Sequence, residues 1–293
     1  MSCFASFKEI CQPDAELAPL TTFKLGGPAR WLLTPRDEAE LAAVLNHCYT
    51  QKTPWRLLGQ GANVLVRDAG VDSAVIKLTG PVWEMVRWED PLVHVAAGAD
   101  FTKLVKQSFE HNLAGLENLA GIPGSVGGII RMNAGGKHGY IADWTHSIRL
   151  MDPIGAIITR QRHEIPFAYR HTDLAGGIVL SATFQLQPGQ RSELNQRYQA
   201  IWGEKKATQP SLGMRTAGCI FKNPPGDSAG RLLDELGLKG TRIGGAEISR
   251  HHANFIVADE GATAQNVLDL ITRAKEQVRE SAGIELELEV EIW

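Results

Sequence analysis

The stretch Trp55-Arg56-Leu57-Leu58-Gly59-Gln60-Gly61-Ala62-Asn63 decides how the fold of this chain is interpreted. Its first four residues are typical of a short strand, and that strand runs directly into a loop with two glycines. Glycine lets the backbone adopt positive φ and approach a ligand closely, so that consecutive N–H groups can converge on phosphate oxygens. The third glycine of the Rossmann dinucleotide motif is absent, because position 64 is Val64. The stretch therefore indicates either a tight turn or a diphosphate cradle outside the Rossmann class.

A second glycine-rich segment has the same two interpretations. It reads Gly121-Ile122-Pro123-Gly124-Ser125-Val126-Gly127-Gly128. The nearby pair Gly136-Lys137 does not complete a P-loop, because that motif would need glycine where Arg131 stands and serine or threonine where His138 stands. Turn glycines are common, so spacing alone leaves tight turns and diphosphate binding equally open.

Around these loops the pattern of apolar residues predicts short strands and helices in alternation. Apolar residues at the spacing of one buried helical face predict a helix over 37–52, and the same argument applies to 101–109, 228–236 and 263–282. Strands are predicted over 64–66, 74–78, 147–150, 156–159 and 178–186. Residues 285–292 alternate strictly between glutamate and apolar side chains, which predicts a final strand. A polar turn cluster at 187–190 indicates a domain boundary.

Composition excludes several classes of protein. A chain of 293 residues with a net charge of −3 gives no reason to expect nucleic acid or a membrane surface as partner. No apolar run approaches the roughly 18–20 residues that span a bilayer, and the first residues do not resemble a secretory signal. The four cysteines, Cys3, Cys11, Cys48 and Cys219, show no zinc spacing and indicate thiols in a reducing compartment. We therefore expect a cytoplasmic protein without a bound metal. We also expect a monomer, although none of these features decides the oligomeric state.

Ten motif blocks follow one another along the chain: Thr21–Ala29, Leu58–Leu65, Gly115–Glu117, Ala120–Gly128, Met132–Gly135, Tyr169-Arg170, Ala217–Pro224, Gly237–Gly240, His252–Val257 and Leu288–Val290. In this order they resemble one family, the UDP-N-acetylenolpyruvylglucosamine reductases of peptidoglycan precursor synthesis. The short run from Arg170 to Cys219 resembles the branch of the family that lacks an additional tyrosine-bearing loop.

The resemblance implies an α+β fold with two functional parts. Residues 20–188 would form an FAD-binding domain of the vanillyl-alcohol-oxidase (PCMH) type. Residues 189–284 would form a smaller α/β substrate-binding domain, and residues 285–293 a terminal strand returning to the FAD part. FAD would be held non-covalently, and NADPH would be the co-substrate. The contacts to NADPH are left open.

The implied reaction reduces the enolpyruvyl ether of UDP-N-acetylglucosamine enolpyruvate to UDP-N-acetylmuramate. Hydride reaches the β-carbon, charge develops on the substrate carboxylate, and a proton must reach the α-carbon. Arg170 matches the family's carboxylate-polarising arginine, and a guanidinium presents a planar, permanently charged fork to a carboxylate. For most arginines a surface position after a strand is the better interpretation.

Cys219 stands where the family usually has the serine that donates the proton. A lone cysteine is ordinarily a small buried core residue, but the motif around Cys219 favours the proton-donor role. A thiol, with a pKa near about 8.5, is a stronger acid than an alcohol, so donation is feasible while the thiol is protonated. Glu289 matches the family's terminal glutamate, although four alternating glutamates are ordinarily a solvated face. Its role would be to assist protonation of the α-carbon or to polarise the carboxylate.

The resemblance also suggests binding residues. Candidates for FAD are Gly59, Gly61, Asn63, Gly124, Ser125 and Gly128. Candidates for the UDP-sugar are Tyr169, Lys222, Asn223 and Asn254. Two alternatives stay open: an FAD-dependent oxidase of the same fold acting on another substrate, and a binding module without redox chemistry.

Overall fold

The computed structural model describes residues 4–211 and 213–293, so the thiol expected at Cys3 lies outside the described residues. The described residues form six α-helices: α1 Glu38–Gln51, α2 Phe101–Glu110, α3 Val126–Arg131, α4 Arg191–Thr208, α5 Ala229–Glu235 and α6 Ala264–Ala282. They also form strands β1 Cys11–Glu16, β2 Pro28–Leu33, β3 Trp55–Leu57, β4 Val64–Leu65, β5 Val71–Ile76, β6 Val86–Glu89, β7 Leu92–Ala96, β8 Leu113–Ala114, β9 Gly135–Gly136, β10 Gly139–Tyr140, β11 Thr145–Met151, β12 Ile157–Gln161, β13 Phe167–Ala168, β14 His171–Thr172, β15 Ile178–Gln185, β16 Gln187–Pro188, β17 Arg242–Ile243, β18 Ala246–Ile248, β19 Ile256–Ala258 and β20 Glu291–Ile292. None of the helices in this described part of the chain is long and apolar enough to cross a membrane.

The described residues cluster into two compact units, each built from separate stretches of chain. The first unit contains residues 4–13, 31–60 and 73–203. The second contains 14–30, 61–72 and the described part of 204–293. Because both units are discontinuous, neither corresponds to a single span of sequence. The functional division at 187–190 stays a prediction.

The first unit is built on a five-stranded antiparallel sheet in the order β12-β11-β15-β7-β6. Apolar side chains of this sheet and of helices α1 and α2 share one hydrophobic core. In α1 the apolar face is buried at Leu41, Val44, Leu45 and Cys48. Asp37 caps the helix, and its side chain accepts the Glu40 N–H. The helix predicted over 37–52 is thereby confirmed, because one apolar face at helical spacing specifies it. Strand β5 begins at Val71, three residues before its predicted start, and pairs in parallel with β3.

The second unit has its own core beneath the longest helix, α6. The predicted apolar stripe of this helix is buried throughout, at Val267, Leu270, Ile271, Ala274 and Val278. Thr263 caps its first turn, and the helix ends at Gly283 with φ of 68°. An antiparallel sheet of β17, β18 and β19 completes the core.

The predicted strand over 285–292 is wrong for most of its length. Only Glu291–Ile292 forms a strand, β20, which pairs in parallel with β4. Before it, the Glu289 N–H donates to the Ile220 carbonyl at 2.8 Å, and the Lys222 N–H donates to the Glu287 carbonyl at 2.8 Å. The partner of residues 287–289 is thus the irregular segment around Ile220, which offers no continuous ladder. Local alternation specifies an extended chain, whereas a regular strand also needs a regular neighbour.

Candidate active site

The two glycine loops, which the sequence presents separately, meet in the first unit. A Cβ added to Gly59 would lie 2.5 Å from the Ser125 Oγ, so a side chain at position 59 would displace this hydroxyl. Ser125 caps helix α3, and its hydroxyl accepts the Gly128 N–H at 3.4 Å. Gly124 has a φ of 151°, a conformation that favours glycine. The close approach explains glycine at position 59, and the positive φ explains glycine at position 124.

Two polar residues outside the candidate list hold these loops. The Gln60 carboxamide donates to the Asp100 carboxylate at 2.9 Å, and Asp100 also accepts the Lys103 N–H at the start of α2. The backbone of Asp100 forms an isolated β-bridge with Ser125. Asp100 therefore links the first glycine loop to the second. The sequence alone did not single it out, because an aspartate before a helix has an adequate local explanation as an N-cap.

The arrangement is suited to an anionic group. Within the described residues, the backbone N–H groups of Gly59, Gln60 and Ser125 have no protein acceptor. Amides without acceptors are costly unless a ligand or water satisfies them, and converging amides bind phosphate oxygens. Lys77 donates to the Gly59 carbonyl at 2.7 Å, and burial lowers the pKa of this ammonium group. The residues present therefore fit the diphosphate of FAD.

In the second unit, Gly61 has φ of 65° and no room for a side chain. An added Cβ would lie 2.6 Å from the Leu20 carbonyl oxygen. The Gly61 carbonyl accepts hydrogen bonds from the Thr22 N–H at 3.1 Å and from the Thr22 hydroxyl at 3.2 Å. The first motif block and the second are thus in direct contact.

Arg170 lies at the tip of a two-residue hairpin between β13 and β14 in the first unit. It adopts a φ of 55°, which is uncommon for a residue with a side chain. Its guanidinium donates to the Gly135 carbonyl at 3.0 Å and lies 5.0 Å from the centre of the Tyr169 ring. The side chain is half-buried, unlike an ordinary surface arginine.

Asn133 anchors this hairpin from the neighbouring motif block. It is buried, donates to the Ala168 carbonyl at 2.9 Å, and accepts the Ala142 N–H at 3.3 Å. Asn133 and Gly135 therefore hold the backbone and the guanidinium of the arginine hairpin. The motif block Met132–Gly135 includes Asn133, but only the tertiary contacts show that Asn133 holds the hairpin in place.

Cys219 lies in the second unit on a short extended segment. Gly218 before it has a φ of 77°, and the backbone of Cys219 forms a β-bridge with Phe255. Cys219 is half-buried and is present as a thiol, like Cys11 and Cys48. The two residues after it, Ile220 and Phe221, are buried in the core.

Glu289 differs from its neighbours in the alternating run. It is half-buried, whereas Glu285, Glu287 and Glu291 are exposed. Its backbone N–H donates to the Ile220 carbonyl at 2.8 Å, which brings its segment beside that of Cys219. The Asn63 carboxamide donates to the Glu289 carbonyl at 2.9 Å. The burial pattern distinguishes Glu289 by a physical property as well as by resemblance.

The other candidates for the substrate have structural contacts of their own. Lys222 forms an ion pair of 3.3 Å with Glu287. Asn223 accepts the Ala229 N–H, at the start of α5, at 3.1 Å. Asn254 is buried, and its carboxamide contacts the backbone of Phe221. Substrate contacts by these side chains stay predictions.

The candidate residues fall into two groups by compact unit. The first unit brings together Gly59, Gly124, Ser125, Gly128, Tyr169 and Arg170. The second brings together Gly61, Asn63, Cys219, Lys222, Asn223, Asn254 and Glu289. Within the described residues, no group of three His, Cys, Asp or Glu side chains is arranged to hold a metal ion.

Comparisons with known proteins identify two parts of the chain. The chain matches the family model described as an FAD binding domain over residues 29–160. A second model, described as the C-terminal domain of UDP-N-acetylenolpyruvoylglucosamine reductase, matches residues 209–293. Together with the glycine cradle, these matches define a flavin-dependent oxidoreductase.

Relatives that match over nearly the full length of the chain show which family of flavin-dependent oxidoreductases it belongs to. The chain is 42% identical to UDP-N-acetylenolpyruvoylglucosamine reductase of Chloroherpeton thalassium, over 100% of this chain and 97% of that one. It is 39% identical to the enzyme of the same name from Moorella thermoacetica, over 93% and 90% of the two chains. The crystal structure of UDP-N-acetylenolpyruvylglucosamine reductase from Thermus caldophilus matches with a TM-score of 0.83 and 40% identity, over 95% of this chain and 97% of that one. The chain belongs to the UDP-N-acetylenolpyruvoylglucosamine reductase family.

Proposed function

We propose that Arg170, Cys219 and Glu289 are the catalytic residues with which this chain reduces UDP-N-acetylglucosamine enolpyruvate to UDP-N-acetylmuramate. The relatives named as this reductase over nearly full length favour that reaction over an oxidase of the same fold. NADPH is the reductant, and the product serves peptidoglycan precursor synthesis. FAD, when bound, takes a hydride from NADPH and supplies it to the β-carbon of the enolpyruvyl double bond.

The protein must supply the proton and stabilise the charge. As the β-carbon gains hydride, the electron pair of the double bond moves to the α-carbon and its carboxylate. The α-carbon then takes one proton, so the net change is addition of hydride and proton and release of NADP⁺. Arg170 stabilises the charge on the carboxylate, because a guanidinium stays protonated and presents two parallel donors.

Cys219 donates the proton to the α-carbon and becomes a thiolate, which regains a proton from solvent before the next turnover. Glu289 assists this transfer or polarises the substrate carboxylate. The observation that carries the assignment is the 2.8 Å hydrogen bond from the Glu289 N–H to the Ile220 carbonyl. It joins the segment of the one half-buried glutamate in the terminal run to the residue that follows Cys219.

For the cofactor, we propose that Gly59, Gly61, Asn63, Gly124, Ser125 and Gly128 hold the diphosphate and flavin of non-covalent FAD. The amides without acceptors at Gly59 and Ser125 support this assignment. For the substrate, we propose Tyr169, Lys222 and Asn223. Asn254, the fourth residue predicted to contact the substrate, has its carboxamide bonded to the backbone of Phe221. The functional division into 20–188, 189–284 and 285–293, a monomeric state and a cytoplasmic location belong to the same proposal.

A spectroscopic experiment in two stages tests the function. Purified protein should show flavin bands near about 370 and 450 nm, and NADPH should bleach them under anaerobic conditions. Addition of the enolpyruvyl sugar nucleotide should then restore the bands without oxygen. Bands that return only when oxygen is admitted would favour the oxidase alternative, and a colourless protein that takes up no added FAD would contradict both redox functions.

A further inference from the structure

We propose that Asn254 is a positioning residue for Cys219, acting through the backbone of Phe221. The inference rests on the proposed function only in taking Cys219 as the proton donor. It gives Asn254 a role that differs from its predicted contact with the substrate, because the side chain acts on the protein and sets the direction of the thiol.

The carboxamide of Asn254 binds both backbone groups of one residue. Its Oδ1 accepts the Phe221 N–H at 2.9 Å, and its Nδ2 donates to the Phe221 carbonyl at 2.8 Å. This is the paired hydrogen-bond pattern of an antiparallel strand, supplied here by a side chain. We call these two hydrogen bonds between Asn254 and Phe221 the clamp. Asn254 is 3% exposed, so the two bonds are sheltered from water and hold the backbone more firmly than exposed bonds would.

Ile220, which lies between Cys219 and Phe221, is held by hydrogen bonds to two other segments. The Asn254 carbonyl accepts the Ile220 N–H at 2.9 Å, and the Ile220 carbonyl accepts the Glu289 N–H. On the other side of Cys219 stands Gly218, whose φ of 77° lies in a region that glycine adopts without strain. Because glycine restricts the chain least, the direction of the Cys219 side chain depends on the residues held around it, which are Ile220 and Phe221 after it and Phe255 across the β-bridge.

His252 supports the clamp through the backbone N–H of Asn254. Its Nδ1 accepts the Asn254 N–H at 3.2 Å, and its ring packs edge-on against Phe255 at 5.0 Å between ring centres. Burial is the main cause that lowers the pKa of His252; Lys239 lowers it further and Asp234 opposes the shift. The neutral imidazole that burial favours is the form that can accept this N–H.

The clamp requires one donor and one acceptor on the same side chain. An aspartate carboxylate of the same shape has acceptors only, so it would face the Phe221 carbonyl without a proton to donate. A protonated aspartic acid has an O–H and regains the full pattern. Asn254→Asp therefore converts the clamp into a group whose function depends on pH.

The decisive experiment compares the two half-reactions of Asn254→Asp with those of the unchanged protein between pH 5.5 and 8.5, chosen as about the range in which a buried carboxyl would titrate. NADPH-driven bleaching of the flavin should stay within about twofold, which also shows that the variant is folded and holds FAD. Reoxidation by saturating enolpyruvyl sugar nucleotide should be slower by about tenfold or more at pH 8.5, the effect of losing a buried hydrogen bond. The deficit relative to the unchanged protein should shrink as pH falls.

Two further variants make the outcome specific. Asn254→Ser fits the same space but cannot reach both backbone atoms, so it should show a similar deficit without the dependence on pH. Asn195→Asp, a matched change on the exposed face of α4, should change neither half-reaction. A raised dissociation constant for the sugar nucleotide with an unchanged maximal rate would overturn the proposal in favour of a substrate contact.

A measurement independent of turnover separates this inference from the proposed function. Alkylation of Cys219 by iodoacetamide, followed by mass spectrometry of the peptide that contains it, should change in rate in Asn254→Asp and Asn254→Ser but not in Asn195→Asp. If the unchanged protein fails to reduce the enolpyruvyl nucleotide, the proposed function fails, yet this rate still reports on the clamp. An unchanged alkylation rate in both Asn254 variants would overturn the positioning role.

Discussion

The carboxamide of Asn63 donates a hydrogen bond of 2.9 Å to the backbone carbonyl of Glu289, 226 residues further along the chain. In return, the Asn63 carbonyl accepts the Glu291 N–H at 3.0 Å, next to the parallel pairing of β4 with β20. Asn63 belongs to the glycine loop predicted to hold FAD, and Glu289 is a predicted catalytic residue. One side chain therefore connects the end of that loop to the irregular segment that carries the glutamate, just before β20.

Replacement of Cys219 should affect one half-reaction only. In Cys219→Ala the NADPH-driven bleaching should remain nearly normal, whereas the enolpyruvyl step should slow by about two to four orders of magnitude, the range for loss of a general acid. Cys219→Ser should restore much of the rate, since a hydroxyl can donate a proton at the same position. Anaerobic stopped-flow absorbance measures both steps. Normal turnover by Cys219→Ala would make the thiol a bystander.

Two substitutions of Arg170 distinguish its catalytic role from the strain in its backbone. Arg170→Ala and Arg170→Gly should both lose most of the enolpyruvyl step, because either change removes the guanidinium. The glycine variant should be the more stable of the two by about 1 kcal/mol, since φ of 55° costs glycine little. Urea unfolding of both variants with FAD removed measures the difference. Equal stabilities would show that the hairpin tip relaxes to another conformation.

Gly59→Ala should weaken FAD binding while leaving a folded protein. The added Cβ would lie 2.5 Å from the Ser125 Oγ, so this hydroxyl must shift away from its position as cap of the Gly128 N–H at the start of α3. We expect the dissociation constant for FAD to rise about tenfold or more, equivalent to about 1.4 kcal/mol. Recovery of flavin fluorescence on dilution measures this constant.

Gly203→Ala is the matched control for that change. Gly203 lies within α4, and an added Cβ there would meet nothing within 4 Å. It should leave FAD affinity unchanged and raise stability by about 0.5–1 kcal/mol, because alanine favours helix. Equal FAD affinity in Gly59→Ala and Gly203→Ala would argue against FAD binding by the two glycine loops.

Stability should depend on pH through His252. Its pKa in the folded protein lies below the usual value near 6.5, so the unfolded chain takes up the proton first as pH falls. The free energy of unfolding should therefore decline from about pH 6.5 down to the folded pKa, and the contribution of His252 should be constant above that window. Urea unfolding at a series of pH values, compared with His252→Gln, isolates this contribution. A variant with the same slope as the unchanged protein would assign the pH dependence to other groups.

Sequence reasoning succeeded where one local pattern was sufficient. Helices α1 and α6 follow from apolar faces and caps contained in one short stretch each, from Asp37 to Lys52 and from Thr263 to Gly283. The alternation over 285–292 was misleading because a strand depends on its neighbour, and residues 287–289 face an irregular segment. Asp100 and Asn133 went unnoticed as supports of the loops and the hairpin. The residues through which they act there, Gln60 and Ser125 for Asp100 and Ala168 for Asn133, lie 25–40 residues away.

The sequence by itself determined the family, the two glycine loops and the residue types available for chemistry, because these are properties of ordered motifs and of individual side chains. Tertiary structure alone decided which residues support one another. In the folded chain Glu289 is half-buried, whereas the other glutamates of the terminal run are exposed. The Asn254 carboxamide forms hydrogen bonds with the backbone of Phe221. The physical reason is that burial and hydrogen bonding depend on neighbours brought together by folding, and no local stretch of sequence contains them.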